Sequence, residues 1–146
     1  MMRIELMSED NVASAAALAA ECFTTPWSEN IYRRELENPQ SIAFVCMDGA
    51  RAVGLIHCSY VLDELTLNTL AVSAEYRRQG IARKLWQTVR ELVTGMCTVC
   101  FLEVRESNLP AITLYQSLGF SQNGYRARYY QQPEEAAVLM QCSLTS

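Results

Sequence analysis

From Arg3 to Met7 the residues alternate well enough for a strand with one covered face. Ser8 to Asp10 then offer capping oxygens to an alanine-rich stretch that predicts a helix running to about Cys22. Pro26 and Trp27 interrupt that pattern, and Ser28 is placed to cap a short second helix that ends before Pro39. The runs SIAFVCM and RAVGLIHCSYV, joined through Asp48-Gly49, read as a hairpin of two long strands. A second turn at Leu62 to Glu64 leads into LTLNTLAV, a third strand of the same antiparallel meander. After Gly80 the positions Ile81, Leu85, Val89 and Leu92 share one helical face, while Arg83, Gln87, Arg90 and Glu91 share the other. Gly95 ends that helix, and TVCFLEV is a continuous apolar run of the kind expected for a central strand covered on both faces. Asn108, Pro110 and Gly119 frame a further helix, and runs at about Asn123 to Tyr130 and Ala136 to Ser143 close the chain as strands. The predicted order is β-α-α-β-β-β-α-β-α-β-β, an α/β chain with a mixed sheet.

Composition narrows the class. The chain has 146 residues, half of them hydrophobic and 19% charged, which suits one ordinary core and excludes global disorder. With no linker-like segment and no repeat, a single domain spanning residues 1–146 is expected. A net charge of −4 argues against holding nucleic acid by charge neutralisation, although an acidic chain can still favour a basic peptide. The apolar stretch around Ala13 to Ala20 is too short to span a bilayer, and Glu5, Glu9 and Asp10 stand where an export signal needs basic and then apolar residues. A soluble, cytoplasmic protein without a membrane partner is expected.

The six cysteines (Cys22, Cys46, Cys58, Cys97, Cys100 and Cys142) suit buried thiols in a reducing compartment better than a disulfide scaffold. Cys97 and Cys100 form a C-x-x-C at the start of an apolar strand, where residues three apart face opposite sides. With no second pair and no nearby histidine, no metal site is expected. His57, the only histidine, sits on an inferred strand and reads as a sheet residue rather than a base.

The segment LAVSAEYRRQGIARKL passes from strand to turn to helix, with Arg77, Arg78, Gln79, Gly80 and Ile81 at the join. A loop there presents free backbone N–H groups and a positive helix end to an anion, and Gly80 permits close approach. Neither a P-loop nor G-x-G-x-x-G is present, and a plain basic helix cap is the alternative. The R-x-x-G-x-A pattern of Arg77, Gly80 and Ala82 resembles the [QR]-x-x-G-x-[GA] loop of the GNAT N-acetyltransferases, whose backbone holds the pyrophosphate of acetyl-CoA. The element order is similar over nearly the whole chain. Within that superfamily TPWSE, LAVSAEYRRQGIARKL, LEVRESN, ITLYQSLGF and RARYY look like the RimI type, which acetylates an N-terminal alanine of a ribosomal protein.

The resemblance implies a GNAT fold, a mostly antiparallel twisted sheet with helices on both faces. It implies acetyl-CoA as cosubstrate, bound by Leu70, Ala71 and Val72 through their backbone, by Arg77, Arg78, Gln79, Gly80, Ile81 and Ala82 as the pyrophosphate loop, and by Asn108. Glu103 resembles the general base and Tyr115 the general acid; Trp27, Tyr129 and Tyr130 resemble residues flanking the acceptor groove, although as aromatics they suit packing equally. Position alone also singles out Glu103, since a carboxylate inside an apolar central strand is costly unless paired or used; a salt bridge to Arg105 is the structural alternative. Glu64 is a competing base, and core packing beside Ile112 and Leu118 is the plain explanation for Tyr115. Three readings remain: an acetyltransferase of a protein N-terminus, a small-molecule amine acetyltransferase, and a non-catalytic acyl-CoA-binding regulator. The acidic Glu134 and Glu135 have no counterpart in the pattern.

Overall fold

The computed structural model describes residues 1–131 and 133–145. Its elements are β1 (Met2–Leu6), α1 (Val12–Cys22), α2 (Glu29–Glu35), β2 (Ser41–Asp48), β3 (Arg51–Val61), β4 (Glu64–Val72), α3 (Ile81–Leu92), β5 (Val99–Arg105), α4 (Leu109–Ser117), β6 (Ser121–Tyr130) and β7 (Glu135–Ser143). The expected order is observed, with a 3₁₀ turn at Ala74–Tyr76 added between β4 and α3. The strands make a seven-stranded sheet with neighbours in the order β1-β2-β3-β4-β5-β7-β6. Pairs β1/β2, β2/β3, β5/β7 and β6/β7 are antiparallel and β4/β5 is parallel, so the sheet is mixed as the α/β reading requires. No helix among the described residues is long and apolar enough to cross a membrane.

The chain divides into two compact units, one of Met1–Ser59 with Asn68–Leu92 and one of Tyr60–Leu67 with Val93–Ser146. In the first, alanines at 15, 16 and 19 let α1 lie close to the sheet, and Val12 and Leu18 fill the space beside Tyr32, Val45 and Leu55. Ser28 caps α2 by accepting from the Ile31 N–H at 3.3 Å. Ser8 supplies oxygens at the start of α1, its carbonyl accepting from Val12 N at 2.9 Å and its Oγ from Asp10 N at 3.3 Å. Buried Asn11 adds to the turn: its Oδ1 accepts from Ser8 N at 2.8 Å and its Nδ2 donates to Leu6 O at 2.9 Å. On the other face of β2 and β3, Gly54 makes room for α3, since a Cβ there would stand 2.7 Å from Ile81 Cγ2 and 3.1 Å from Leu85 Cδ1. Leu92 is 56% exposed and Val93 is buried in its stead, because the helix ends at Leu92 and the chain turns back there.

The strand buried continuously is β3, from Ala52 to Cys58, with helices on both faces. In β5, by contrast, Cys100, Leu102 and Val104 are buried while Glu103 is exposed, so the continuous apolar run does not mean two covered faces. In this second unit β7 lies between β5 and β6, pairing with β5 from Val99↔Ser143 to Arg105↔Ala137. Asn108 caps α4 by accepting from Ala111 N at 3.2 Å, and Gly119 leaves the helix with φ +102°. All six cysteines are free thiols, five of them buried and Cys22 half-buried.

Candidate active site

In the first unit the C-terminal half of β4 leads through an exposed loop to the N-terminus of α3, the place where the sequence predicts a phosphate cradle. Leu70 and Ala71 are buried and Val72 half-buried, so these residues can offer a ligand little beyond their backbone. The exit from β4 is pinned: Ser73 N donates to Val53 O at 2.9 Å, and the Tyr76 hydroxyl donates to Asp48 Oδ2 at 2.6 Å. Arg51 stacks over Tyr76 and reaches Glu75 at 3.1 Å, which ties the turn to β3. Beyond that anchor Arg77, Arg78, Gln79 and Gly80 are all exposed.

Two of those four hold left-handed backbone, Arg78 at φ +66° and Gly80 at φ +78°. Lys84 N, bonded to Gly80 O at 3.0 Å, is the first amide of α3 whose acceptor the i→i−4 ladder can supply. The N–H groups of Ile81 and Ala82 therefore lie at the helix end with its partial positive charge, outside that ladder. A Cβ added at Gly80 would meet nothing within 4 Å, so the space beside these amides is open. Arg77 Nε donates to Val72 O at 3.1 Å, binding the loop back to the strand it leaves. Ile81 and Ala82 bury their side chains in the core, so their part in the cradle is confined to backbone.

The second unit carries the titratable cluster. Glu103, opposite Leu139 in the β5/β7 register, has a side chain 40% exposed and stands on the open face of its strand. Its charge partner is Arg126 at 3.9 Å, and not Arg105, the structural alternative that the sequence offered. Arg105 is committed elsewhere: it contacts Glu135 at 3.3 Å, donates to the carbonyls of Pro133 and Gln131, and lies 4.5 Å over the Tyr130 ring. The Tyr129 hydroxyl is held by the Glu103 carboxylate, and that hydrogen bond pushes its pKa up. Burial, with the Glu103 charge second, pushes Tyr130 up to about 12. The two tyrosine rings meet edge to face at 5.1 Å, and Arg126 lies 4.9 Å over Tyr129. Base candidate, aromatic pair and arginine thus form one connected surface.

Glu64, the competing carboxylate, pairs with Val99 in the parallel β4/β5 register. That is four residues from Glu103 along β5, or about 13 Å at strand rise, so the two acids serve different places. Tyr115 is half-buried, its ring 5.9 Å from Phe120 in edge-on contact. The Asn108 oxygen is spent on the α4 cap. Trp27 belongs to the first unit, where it packs on Tyr32 and His57 at 5.4 and 4.9 Å. Sequence reasoning missed Arg126 as the neighbour of Glu103, although it lies within RARYY. Glu135 also acquires a role: it accepts from Ser107 N at 2.6 Å and holds Arg105, and these bonds lower its pKa. Glu134 pairs with Arg128 at 3.2 Å.

The family model of the acetyltransferase (GNAT) family matches residues 12–120. The chain belongs to that family. It is 33% identical over 144 residues to a [ribosomal protein bS18]-alanine N-acetyltransferase of Salmonella typhimurium, covering 96% of each chain. A putative protein of that name from Bacillus subtilis is 30% identical over 136 residues, covering 92% of this chain and 90% of the relative. Among solved structures, the ribosomal-protein-S18-alanine N-acetyltransferase of Escherichia coli superposes with a TM-score of 0.89 at 28% identity, covering 100% of this chain and 96% of the other.

Proposed function

We propose that this chain, acting as one acetyltransferase domain over residues 1–146, transfers the acetyl group of acetyl-CoA to the α-amine of a protein N-terminus, with the N-terminal alanine of a small-subunit ribosomal protein as acceptor. The observation that carries the reading is the loop before α3, where left-handed Gly80, open space at its Cα and the first amides of a helix coincide. Similarity over 96% of the chain to an alanine N-acetyltransferase supports the acceptor.

Acetyl transfer to an amine needs a neutral nucleophile, a polarised carbonyl and a proton for the departing thiolate. Backbone amides of Leu70, Ala71 and Val72 polarise the thioester carbonyl. Glu103, through a water, takes the proton of the ammonium, the nitrogen attacks the carbonyl carbon, Tyr115 protonates the sulfur as the C–S bond breaks, and the attacking nitrogen gives its second proton to water, from which Tyr115 is protonated again. An α-amine of pKa 7.7 to 8.0 is roughly one-tenth neutral at pH 7, so one exposed carboxylate suffices. Arg126 beside Glu103 further disfavours a second positive charge there, which suits an amine presented neutral. Asn108 contributes to holding acetyl-CoA, and Trp27, Tyr129 and Tyr130 line the acceptor path. The net charge of −4 suits a basic ribosomal substrate, and the reaction belongs in the cytoplasm with its ribosomal acceptor.

The deciding experiment incubates the protein with acetyl-CoA and peptides beginning Ala, Ser or Met, one with an internal lysine, and reads products by mass spectrometry. Acetylation of the alanine α-amine is expected. Faster turnover of a polyamine or aminoglycoside than of any peptide would replace this reading with the small-molecule one.

A further inference from the structure

His57 is 1% exposed and takes no part in the chemistry above. Its two ring nitrogens face different groups. Nε2 has Glu35 Oε1 3.3 Å away, off the line of a formed hydrogen bond, and borders a cavity of about 270 Å³ into which Tyr32, Glu35 and Ser41 also face. Nδ1 lies 3.2 Å from Asn68 Nδ2, which also donates to Ser59 Oγ at 3.0 Å. Glu35 is the ionised group that faces the ring. Tyr32 from the same helix is kept neutral by burial, Trp27 packs on the ring edge, and the β2 residue in register is Ala43. A carboxylate in front of Nε2 draws the imidazole proton to that nitrogen. Nδ1 is then bare, and only the N–H₂ side of the Asn68 amide can face it.

Both Asn68 protons are thereby used, and its Oδ1 has no donor among the described residues although the residue is exposed. Asn68 stands on β4 two positions before Leu70. Trp27, an acceptor-path residue in the functional reading, touches the same imidazole.

We infer that His57 is a positioning residue for the acceptor: neutral and protonated on Nε2, it fixes the Asn68 carboxamide with its oxygen outward, where that oxygen accepts a hydrogen bond from an N–H of the acceptor's N-terminal segment. The inference rests on the reading of a peptide acceptor. Protonation of His57 places a hydrogen on Nδ1, which turns the Asn68 amide over and presents N–H₂ to a donor. Acceptor binding then weakens at acid pH.

Because His57 is the only histidine, ¹⁵N NMR reads its tautomer without assignment. The Nε2–H form is expected, with an Nδ1 resonance that moves in Asn68→Ala. In kinetics with an alanine-terminated peptide, His57→Leu and Asn68→Ala should each raise the peptide KM by about 3- to 10-fold, the worth of one neutral hydrogen bond. The KM for acetyl-CoA and kcat should hold, and the double variant should be no worse than either single one. His57→Gln, whose side-chain oxygen can accept from Asn68, should restore the peptide KM and remove its rise at acid pH. An Nδ1–H tautomer at neutral pH, an Nδ1 resonance indifferent to Asn68→Ala, or an unchanged peptide KM in Asn68→Ala overturns the inference. A wild-type protein that acetylates no peptide sinks the functional reading and with it the acceptor half of the inference, while the NMR still decides the His57–Asn68 bond.

Discussion

Glu103 stands out in the sequence before its environment is known. A carboxylate within an apolar run marks either a pair or a function, and the structure gives it an exposed face, an arginine at 3.9 Å and a tyrosine hydroxyl. Glu103→Gln keeps the shape and loses the acceptor for the ammonium proton. It should therefore bind acetyl-CoA as the parent does and lose about 10²- to 10⁴-fold in kcat, most severely at low pH. Glu64→Gln, about 13 Å away by strand rise, should retain turnover; the opposite pattern in steady-state kinetics would move the base to β4.

His57 supplies a second prediction at this scale, about stability. Burial lowers its pKa from the ordinary 6.5, with the Glu35 charge opposing. The unfolded chain thus binds a proton more readily than the folded one, so stability is full above about pH 6.5 and declines as the pH falls below it. Glu135 and Glu35, held below the usual 4.5 by hydrogen bonds from Ser107 and Ser41 respectively, lose their contributions only as the pH falls through the carboxylate range. Urea titrations from pH 8 to 4 should show two separate declines in the parent, and His57→Gln should erase the upper one alone.

Among the elements, α3 has the most exacting placement. Its first residue packs against Gly54, where an added Cβ would meet the Ile81 branch at 2.7 Å and Cys46 Cβ at 3.2 Å. Gly54→Ala should cost about 1–3 kcal/mol in denaturant unfolding, as overpacking does, and shift the helix end that carries the cradle. The cradle itself calls for a matched pair. Gly80 and Gly49 both have positive φ, at +78° and +62°, and both have open space where a Cβ would go. Alanine at either site carries the same backbone strain, yet only Gly80→Ala puts a methyl beside the α3 amides. Isothermal calorimetry should find acetyl-CoA affinity reduced by tenfold or more, about 1.4 kcal/mol, in Gly80→Ala and unchanged in Gly49→Ala. Equal affinities would remove this loop from the binding site.

For the molecule as a whole, acceptor choice follows from proton chemistry and charge. An α-amine and a lysine ε-amine differ by roughly two and a half pKa units, so at neutral pH the former offers several-hundred-fold more neutral nucleophile. In a peptide carrying both, α-acetylation should dominate, and blocking the N-terminus should abolish the reaction. Comparable acetylation of lysine in the blocked peptide would show that the enzyme itself activates the amine well beyond what one exposed carboxylate provides. Raising the salt should weaken the preference for basic peptides, since charges farther apart than about 10 Å at 0.1 M salt are screened.

Local signals determined a great deal. Alternation, capping residues and turn glycines located all eleven helices and strands, because Ser28, Asn108, Gly49 and Gly119 act on the backbone within a few residues of themselves. The strand, turn and helix N-terminus around Arg77 to Ala82 were legible for the same reason: they are consecutive in sequence. Burial and partnership were not local. An apolar run does not disclose which of its faces is covered, so β5 read as doubly buried while β3 carried that part. Arg105 stands two residues from Glu103, yet Arg126, brought alongside by β7 lying between β5 and β6, became its partner. His57 looked like an ordinary sheet residue. Glu35, Asn68 and Trp27 meet its ring only after α2, β3 and β4 have packed, and through-space contacts between residues distant in sequence are what tertiary structure alone decides.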